Sequence, residues 1–330
     1  MLINNTAINH ADRVLATVGS GQSAATSSIA ASWCRSALHH GLDPGTQRRR
    51  ERLDSNDLGH LLERNGELLA AAEPVLAALF GNVRSAGCCV ILADIDGIVL
   101  DMRSAAGDQK VFESIGLQGG VSWSEASEGT NGIGTCLVEG RSLSVDQSEH
   151  FSSRNTGVSC IDAPVFGPNG ELIGALDISS CRTNSRDSFI PLVTSLVQEA
   201  ARQIERNFFC QSYADARILY APDPLGRGSA LLAVDKDDLL IGATRSARRK
   251  YKISQAQINS PSPVVDILGV DRPTRFDDSE RMVLRQALSR SRGNVSIAAR
   301  ALGIGRATFY RRMERVGLTP VNRGTAAKPN

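Results

Sequence analysis

The strongest constraint on the fold is the stretch NVSIAARALGIGRATFYRRMERVGL, residues 294–318. Its first apolar residues recur at i, i+3, i+4 and i+7, the spacing of one helix face: Val295, Ala298, Ala299 and Leu302. A Gly303-Ile304-Gly305 turn follows, and a second helix is predicted from Arg306 to about Val316. Two short helices around a tight turn predict a helix-turn-helix, with a small Ala299 where the helices cross and Gly303 in a positive-φ turn.

The second helix of this motif is predicted to bury Phe309, Met313 and Val316 and to present basic residues outward. Residues 281–315 hold nine arginines and one acid, although the whole chain has a net charge of only +2. This local excess indicates a module that binds a polyanion, and Arg306 is placed to read guanine in the major groove of double-stranded DNA. The predicted DNA contacts are Asn294, Ser296, Arg306, Thr308, Tyr310, Arg311 and Arg312. The alternative is an unrelated helical hairpin with a solvated basic face.

A further helix is predicted ahead of this motif, capped by Asp277 or Asp278 and ended by Gly293. Its apolar positions are Val283, Leu284, Ala287 and Leu288. The segment GNVSIAARALGIGRATFYRRMERVGL resembles the DNA-binding end of the Fis protein, which bacterial enhancer-binding regulators share. Gly305 departs from that family, in which Ser or Asn usually precedes the second helix, so one side-chain contact to the cap or to phosphate is lost. The resemblance implies a homodimer formed through the first helix of the region.

Composition limits the number of domains, the kinds of site and the compartment that the sequence predicts. The chain has 330 residues, 42% of them hydrophobic, which predicts two to three folded domains. Its seven cysteines are scattered without a C-x-x-C pair, so neither a disulfide framework nor a metal site is expected, and no cofactor is predicted. No run of 18 apolar residues and no secretory signal is present, which predicts a protein of the reducing cytoplasm with no membrane partner.

The N-terminal part reads as helical. Residues 1–26 are small and polar without a clear period and are expected to form a loose arm. Ser27 or Ser28 is predicted to cap a first helix, and Asp54 or Ser55 a second one, which Pro74 is expected to interrupt. The arginines at 48–50 are interpreted as a solvated surface, with phosphate contact as the alternative.

The pattern then changes to strands. The stretch CCVILADIDGIVLD predicts a hairpin around Asp96-Gly97, and APVFGPNGELIGALDIS predicts another around residues 168–170. Asp187 is predicted to cap a long amphipathic helix that runs from Phe189 to Phe208. The order of helix, hairpin, irregular middle, hairpin and helix predicts an α+β fold, an antiparallel sheet flanked by helices that can enclose a small-molecule cavity.

A third hairpin is predicted at ALLAVDKDDLLIGAT, with its turn near Asp235 to Asp238, in a segment too short for a comfortable sheet domain of its own. The basic stretch RSARRKYKI follows as a predicted helix. The stretch SQAQINSPSPVVD is interpreted as a linker because it is rich in Ser, Gln and Pro.

Two middle segments carry a second resemblance. WSEASEGTNGIGTCLVEGRSLSVDQSEHF and GVSCIDAPVFGPNGELIGALDISS resemble the GAF sensory domain of regulators of acetoin and glycerol catabolism. The upstream SWCRSALHHGLDP is characteristic of the same group, so the resemblance covers most of residues 27–209. It implies a sensory domain for a small metabolite, with a weak preference for a small alcohol or ketol. Residues 212–256 resemble the reduced PAS-like segment that can follow it.

Candidate residues of the ligand cavity combine an aromatic wall with hydrogen-bonding groups, which suits a small polar effector. They are Trp123, Glu128, Asn131, Thr135, Cys136, His150 and Phe151. The alternative for each is a structural role, such as a satisfied loop histidine for His150 and a core position for Cys88 and Cys89. The EGTNGIGT glycines fall as G-x-x-G-x-G, so the stretch is interpreted as a bend lining or closing a pocket rather than a phosphate loop.

These patterns divide the chain into a helical N-terminal extension (1–55), a GAF-like sensory domain (56–209), a reduced PAS-like segment and linker (210–270) and a Fis-type helix-turn-helix domain (271–330). The resembled regulators usually carry an AAA+ ATPase between sensor and DNA-binding domain. This chain has no Gly-Lys dipeptide and therefore no Walker A sequence. The expected function is DNA-binding transcriptional regulation in response to a metabolite, without ATP-driven promoter opening. The expected mode of action is recruitment, occlusion or action through another regulator, and the expected protein partner is RNA polymerase or another regulator.

Two alternatives come from other functional classes. The first is an architectural DNA-binding protein that uses its front half only for oligomerisation. The second is an enzyme that reduces methionine sulfoxide with paired cysteines, as some GAF-like domains do. It leaves the C-terminal motif unexplained, so the chain is predicted not to be an enzyme.

Overall fold

The protein is described from a computed structural model, which covers residues 9–20, 25, 27–46, 50–181, 190–221, 230–236, 238–259, 263–269 and 293–318. It also covers 280–281, 283–284, 287–288 and 291. The chain divides into two compact units, residues 1–267 and 268–330.

The N-terminal unit alternates helices with antiparallel strands. Its helices are α1 (His10–Gly19), α2 (Ser28–Cys34), α3 (Ser55–Arg64), α4 (Gly66–Val83), α5 (Gln109–Ser114), α6 (Glu125–Glu128), α7 (Gly132–Glu139), α8 (Ile190–Ser212), α9 (Arg245–Tyr251), α10 (Gln255–Asn259) and α11 (Val264–Leu268), the last crossing into the second unit. Its strands are β1 (Cys88–Asp94), β2 (Val99–Arg103), β3 (Leu143–Asp146), β4 (Ser159–Phe166), β5 (Leu172–Ser180), β6 (Arg217–Ala221), β7 (Ala230–Val234) and β8 (Leu240–Ala243). The predicted α+β class is confirmed.

The larger sheet has the antiparallel order β2-β1-β5-β4-β3. The hairpin predicted at Asp96-Gly97 joins β1 to β2, and Gly97 has the positive φ of +76° that this tight turn requires. The hairpin predicted at residues 168–170 joins β4 to β5. The pairing of β1 with β5 brings the two hairpins into one sheet.

Alternation along the strands gives this sheet two buried faces. Val90 and Leu92 pack with α4 and α8 in one core, whereas Cys89, Ile91 and Ala93 pack with Trp123 and the α7 region in another. Because side chains in a strand point alternately to opposite faces, a run of apolar residues such as β1 is buried on both sides.

Residues 1–26 do not all form the expected loose arm. α1 is capped by Asn9, whose side chain accepts a hydrogen bond from the backbone N–H of Asp12 at 2.8 Å. Val14 is fully buried against Trp33 of α2. One buried valine and a cap therefore hold a helix whose periodicity is weak in the sequence.

The predicted interruption of the second helix at Pro74 was wrong. α4 runs through Pro74, and the break falls at Asn65, between α3 and α4. Proline removes one backbone hydrogen bond and costs about 3 kcal/mol in a helix interior. The buried apolar residues on either side, among them Ala72 and Leu76, offset that loss.

The third predicted hairpin is present as β7 and β8, and a strand that the sequence did not indicate, β6, joins them in a second sheet of order β6-β7-β8. Phe209 of α8 is buried against Leu231 and Ala233 of this sheet. The stretch interpreted as a linker contains α10 and the start of α11, and Val264 is buried, so that interpretation was wrong for these residues. The predicted cap Asp187 and the helix start at Phe189 lie outside the described residues.

The segment Gly66–Ala86 is long and apolar enough to cross a membrane by length and composition. Leu68, Ala72, Leu76 and Leu79 of this segment are buried in the core against the large sheet. That packing is the arrangement of a core helix.

The C-terminal unit contains helical residues between 280 and 288, followed by α12 (Val295–Ala301) and α13 (Arg306–Arg315). Its core combines residues from all three segments: Leu284, Ala287, Val295, Ala298, Ala299, Phe309, Met313 and Val316. The predicted helix-turn-helix is confirmed, while Val283, expected on the apolar face, is half exposed. The predicted caps Asp277 and Asp278 lie outside the described residues.

Candidate functional site

The helix-turn-helix is built by one side-chain cap and one glycine turn. Asn294 caps α12, its side-chain oxygen accepting from the backbone N–H groups of Ser296 at 3.0 Å and Ile297 at 3.2 Å. Gly303 has φ +65°, which an L-residue adopts only with strain. Ala299 is buried between the two helices, as its small side chain allows.

The outward face of α13 places most of the predicted DNA contacts together. Phe309 and Met313 are buried, whereas Arg306, Tyr310 and Arg311 are exposed. The Arg306 guanidinium carbon lies 5.6 Å from the centroid of the Tyr310 ring. Asn294 and Ser296 are exposed at the start of α12, and Thr308 is half-buried.

Arg312 is a predicted contact that forms an ion pair with a carboxylate of the same unit. Its Nη1 lies 3.3 Å from Oε1 of Glu280, and Arg315 pairs with the same carboxylate. Both arginines thereby tie α13 to the helical segment that precedes the motif. The sequence missed Glu280 as a partner because the contact spans more than thirty positions of the chain.

In the N-terminal unit, Trp123 and Glu128 belong to one layered contact. The buried Trp123 ring has the Arg50 guanidinium 4.6 Å above its centroid, and its Nε1 donates to the Gly116 carbonyl at 3.1 Å. Arg50 also donates to the buried Glu128 carboxylate at 3.2 Å, and Arg154 pairs with the same group. Arg50 comes from the stretch QRRRER, so one of the three arginines interpreted as solvated surface is mostly buried.

Asn131, Thr135 and Cys136 surround the start of α7. Asn131 caps this helix, accepting from the Gly134 N–H and donating to the carbonyls of Trp123 and Gly129, all at 2.9 Å. The Thr135 hydroxyl accepts from the Asn131 N–H at 3.2 Å. Cys136 is fully buried, and burial together with the charge of Asp162 raises the pKa of its thiol far above the usual range. The EGTNGIGT stretch therefore forms the junction of α6 and α7.

His150 and Phe151 lie beside the same region: the Phe151 backbone N–H donates to the Thr130 carbonyl at 3.0 Å, and His150 Nε2 lies 3.5 Å from Cys160 Sγ of β4. His150 is fully buried; its Nδ1 hydrogen-bonds to the Gln147 carbonyl at 3.0 Å, and burial lowers its pKa to about 4, so the ring is neutral at physiological pH. Phe151 packs with Val14 and Trp33 beneath α1 and α2. All seven predicted cavity residues are thus buried at or beside the α6–α7 junction. None of them lines the clefts of about 540, 520 and 350 Å³ in the described part of the chain.

A pair of buried aspartates stands on the α7 face of the large sheet, and the sequence analysis missed it. Asp162 of β4 and Asp177 of β5 are directly opposite each other, and both are almost completely buried. Asp177 accepts from the Ser179 hydroxyl at 2.7 Å, while its other oxygen and both Asp162 oxygens have no hydrogen-bond donor among the described residues. The available signal was Asp177 inside one strand of the predicted hairpin and Asp162 directly before the other strand.

The two carboxyl groups hold at least one proton near neutral pH. Burial raises the pKa of Asp162 well above its usual range, and the charge of Asp177 raises it further. Burial also raises the pKa of Asp177 to about 7. One shared proton lets the carboxyl groups hydrogen-bond to each other and leaves at least one buried oxygen without a donor.

Comparison with known proteins decides the family. The N-terminal domain of MimR matches residues 5–206, which is more than half of the chain. The chain belongs to the MimR N-terminal domain family. In this MimR-family chain, residues 275–315 also match the bacterial regulatory proteins of the Fis family, so the C-terminal motif is a Fis-type DNA-binding domain.

Two curated relatives of the MimR-family chain are transcriptional regulators. The acetoin catabolism regulatory protein of Cupriavidus necator is 29% identical over 250 residues, which cover 74% of this chain and 37% of that protein. The propane 2-monooxygenase operon transcriptional activator MimR of Mycolicibacterium smegmatis is 34% identical over 140 residues, covering 42% of this chain and 23% of that protein. The chain thus spans about a third or less of these relatives' length. The names of both relatives describe regulators.

A solved structure supports the fold. The Escherichia coli DhaR(N)–DhaL complex contains a chain that superposes with a TM-score of 0.51 at 14% identity, covering 69% of this chain and 76% of that one. At this identity the likeness concerns the fold alone. It agrees with the helices and antiparallel sheet of the N-terminal unit.

Proposed function

We propose that this protein is a transcriptional regulator that binds specific DNA through α13 and changes its DNA affinity when a small molecule binds the N-terminal unit. The observation that supports DNA recognition is the exposed face of Arg306, Tyr310 and Arg311 on the second helix of a Fis-type motif. In helix-turn-helix proteins the N-terminal residues of this helix contact base edges, while phosphate contacts set its position.

Arg306 provides the direct test of this interface. Replacing it with Ala should cost about 1–3 kcal/mol of binding to a duplex selected from a random-sequence pool, and should relax preference at one position. Fluorescence anisotropy with the full chain measures both effects. Arg84→Ala, which removes an exposed arginine of the N-terminal unit, serves as the control. An equal loss of affinity on every sequence would make Arg306 a phosphate contact only.

The effector is proposed to bind between α7 and the large sheet, next to the predicted residues Asn131, Thr135 and Cys136. The support is the donor-poor Asp162–Asp177 pair, because a buried carboxylate oxygen without a hydrogen bond is costly. A ligand with hydroxyl groups supplies the donors that this face lacks. The chemical class is therefore a small hydroxylated molecule, in keeping with the acetoin in the name of one relative.

Binding at this place requires α7 to move. Gly132, the first residue of α7, lies so close to the pair that an added Cβ would stand 2.1 Å from Asp162 Oδ2 and 2.5 Å from Cys160 Cβ. The space is closed, so a ligand would bind a state in which α7 is displaced from β4 and β5. Such unequal affinity for two states is what lets a ligand shift a conformational equilibrium.

A series of four-carbon compounds tests this proposal. Butane-2,3-diol and acetoin carry hydroxyl donors, whereas butane-2,3-dione has the same carbon skeleton and none. We expect the first two to raise the melting temperature and to change DNA affinity, the dione to do neither, and Asp177→Asn to weaken the response. A dione response equal to that of the diol would contradict recognition by the aspartates.

We further propose the mode of action and the assembly. Residues 207–274, between the two matched regions, contain no Walker A sequence, so the proposed mode is recruitment or occlusion, through RNA polymerase or another regulator. We also propose that the protein is a cytoplasmic homodimer in which residues 56–209 form the sensory domain and residues 271–330 bind DNA.

The competing architectural role predicts no specific ligand. A metabolite that shifts both melting temperature and DNA affinity would exclude it.

A further inference from the structure

A polar cleft lies between α8, the end of β4 and α9, away from the aspartate pair and within the N-terminal unit. Its volume is about 350 Å³, which is in the range of small-molecule sites. The charged side chains on its wall are Arg202 and Glu205 from α8 and Arg245 and Arg249 from α9. Three cations against one carboxylate give the cleft an excess of positive charge.

Arg245 is held in a geometry that suits a planar oxyanion. Its guanidinium carbon lies 3.7 Å from the centroid of the Phe166 ring. A guanidinium stacked on a ring keeps its N–H edge free to donate two parallel hydrogen bonds to a carboxylate or phosphate. Burial lowers the pKa of Arg245, and the neighbouring charge of Arg249 lowers it further, so a bound anion would relieve an unfavourable contact between cations.

The arginines of α9 lack the partner that the arginine of α8 has. Arg202 pairs with Glu199 at 2.8 Å. Among the described residues, no carboxylate oxygen lies within 4.0 Å of a side-chain nitrogen of Arg245 or Arg249. The cleft therefore presents two guanidinium groups without a close counter-ion.

Glu205 sets the charge of the cleft according to pH. Its Oε1 accepts a hydrogen bond from the Phe166 backbone N–H at 3.1 Å, and burial raises its pKa to about 7 against the opposing charges of Arg245 and Arg202. The charged groups facing it are Arg202 on its own helix and Arg245 and Arg249 on α9, while β4 contributes a backbone N–H and an aromatic ring. Protonated Glu205 no longer repels an anion.

We propose that this cleft binds a small molecule carrying a carboxylate or phosphate-like oxyanion, held by Arg245 and Arg249. The site goes beyond the proposed effector site, since it lies at the junction of α8 with α9. An anion there would link the long helix of the large sheet to the second sheet. Its occupancy is independent of whether α13 reads DNA.

Titration calorimetry on the full chain tests the site with sodium succinate and sodium sulfate, each against sodium chloride at the same ionic strength. We expect saturable binding of at least one oxyanion and none of chloride; which of the two binds tells carboxylate from phosphate-like recognition. Arg249→Ala should weaken binding about tenfold or more. Arg245→Lys, which keeps the charge but loses the planar fork, should also weaken it. Arg84→Ala should leave it unchanged.

The pH dependence gives a second readout. Affinity should fall as pH rises through about 7, where Glu205 ionises, and Glu205→Gln should abolish that dependence. Equal affinity of Arg249→Ala and Arg84→Ala, or a chloride response equal to that of the oxyanions, would overturn the proposal. Circular dichroism and DNA affinity of each variant separate this outcome from misfolding and from failure of the DNA-binding proposal.

Discussion

Among single residues, Asp162 and Asp177 contribute directly to the pH dependence of stability. The pKa values of both carboxyl groups are raised in the folded chain, with burial as the main cause, above the ordinary 3.8. At these two carboxyl groups the native state therefore binds more protons than the unfolded state between about pH 4 and 7. Because the folded pKa is the higher one, the free energy of unfolding contributed by this pair decreases as pH rises through that window.

Asp162→Asn should remove much of this dependence. The amide has nearly the shape of the acid and donates a hydrogen bond to Asp177 at every pH, whereas the shared proton does so only while the pair is protonated. We expect a gain in the free energy of unfolding on the order of 1–3 kcal/mol at about pH 8 and little change at about pH 5. Urea unfolding at the two pH values measures the change in the free energy of unfolding. Equal changes at both would mean that the pair is not protonated as described.

Gly132 is required by close contact rather than by its backbone angle. A methyl group there would overlap Asp162 Oδ2 and Cys160 Cβ, so Gly132→Ala should destabilise the N-terminal unit by about 1–3 kcal/mol. Gly59→Ala on α3 is the matched control, since nothing lies within 4 Å of the added methyl. That change should stabilise by up to about 1 kcal/mol. Destabilisation of similar size in both variants would contradict the packing argument.

At the scale of elements, the turn between α12 and α13 contains two glycines with different roles. Gly303 has a positive φ, whereas Gly305 has φ −66° and ψ 150°, an extended conformation open to any residue. Gly305 is the N-cap of α13 and provides no side-chain hydrogen bond. The departure from the Fis family at this position is therefore one of capping and not of backbone shape.

The two glycines should respond oppositely to substitution. Gly303→Ala should cost about 1–2 kcal/mol through left-handed strain. Gly305→Ser should gain a few tenths of a kcal/mol by capping α13. Thermal unfolding followed by circular dichroism compares the variants. A loss of stability in Gly305→Ser as large as in Gly303→Ala would show that the turn needs glycine at both positions.

For the whole molecule, the division at residues 267 and 268 predicts two cooperative transitions. Calorimetry of the full chain should resolve two unfolding transitions. Duplex DNA should raise the melting temperature of one and leave that of the other unchanged, because a ligand stabilises the unit to which it binds. Asp162→Asn should change the melting temperature only of the transition that DNA leaves unchanged. A single transition that responds to both changes would contradict independent units.

Short-range sequence patterns were enough to predict much of the fold. The helix-turn-helix, the three hairpins and the α9 helix follow from periodicity, glycine turns and caps, which act over a few neighbouring positions. The second helix of the DNA-binding motif was placed almost to the residue, with its buried and exposed faces, because Phe309, Met313 and Val316 mark one side of a single helix. Its DNA contacts stay predictions.

The sequence by itself determined the three hairpins, most of the longer helices and the DNA-binding motif, since these depend on short-range spacing. The tertiary structure alone decided that β1 pairs with β5, that α4 continues through Pro74, and that Asp162 meets Asp177. It also brought Arg245 onto Phe166 to form the cleft beside α8. The physical reason is that burial and pairing between distant segments set these features, and no local pattern records which segments will meet.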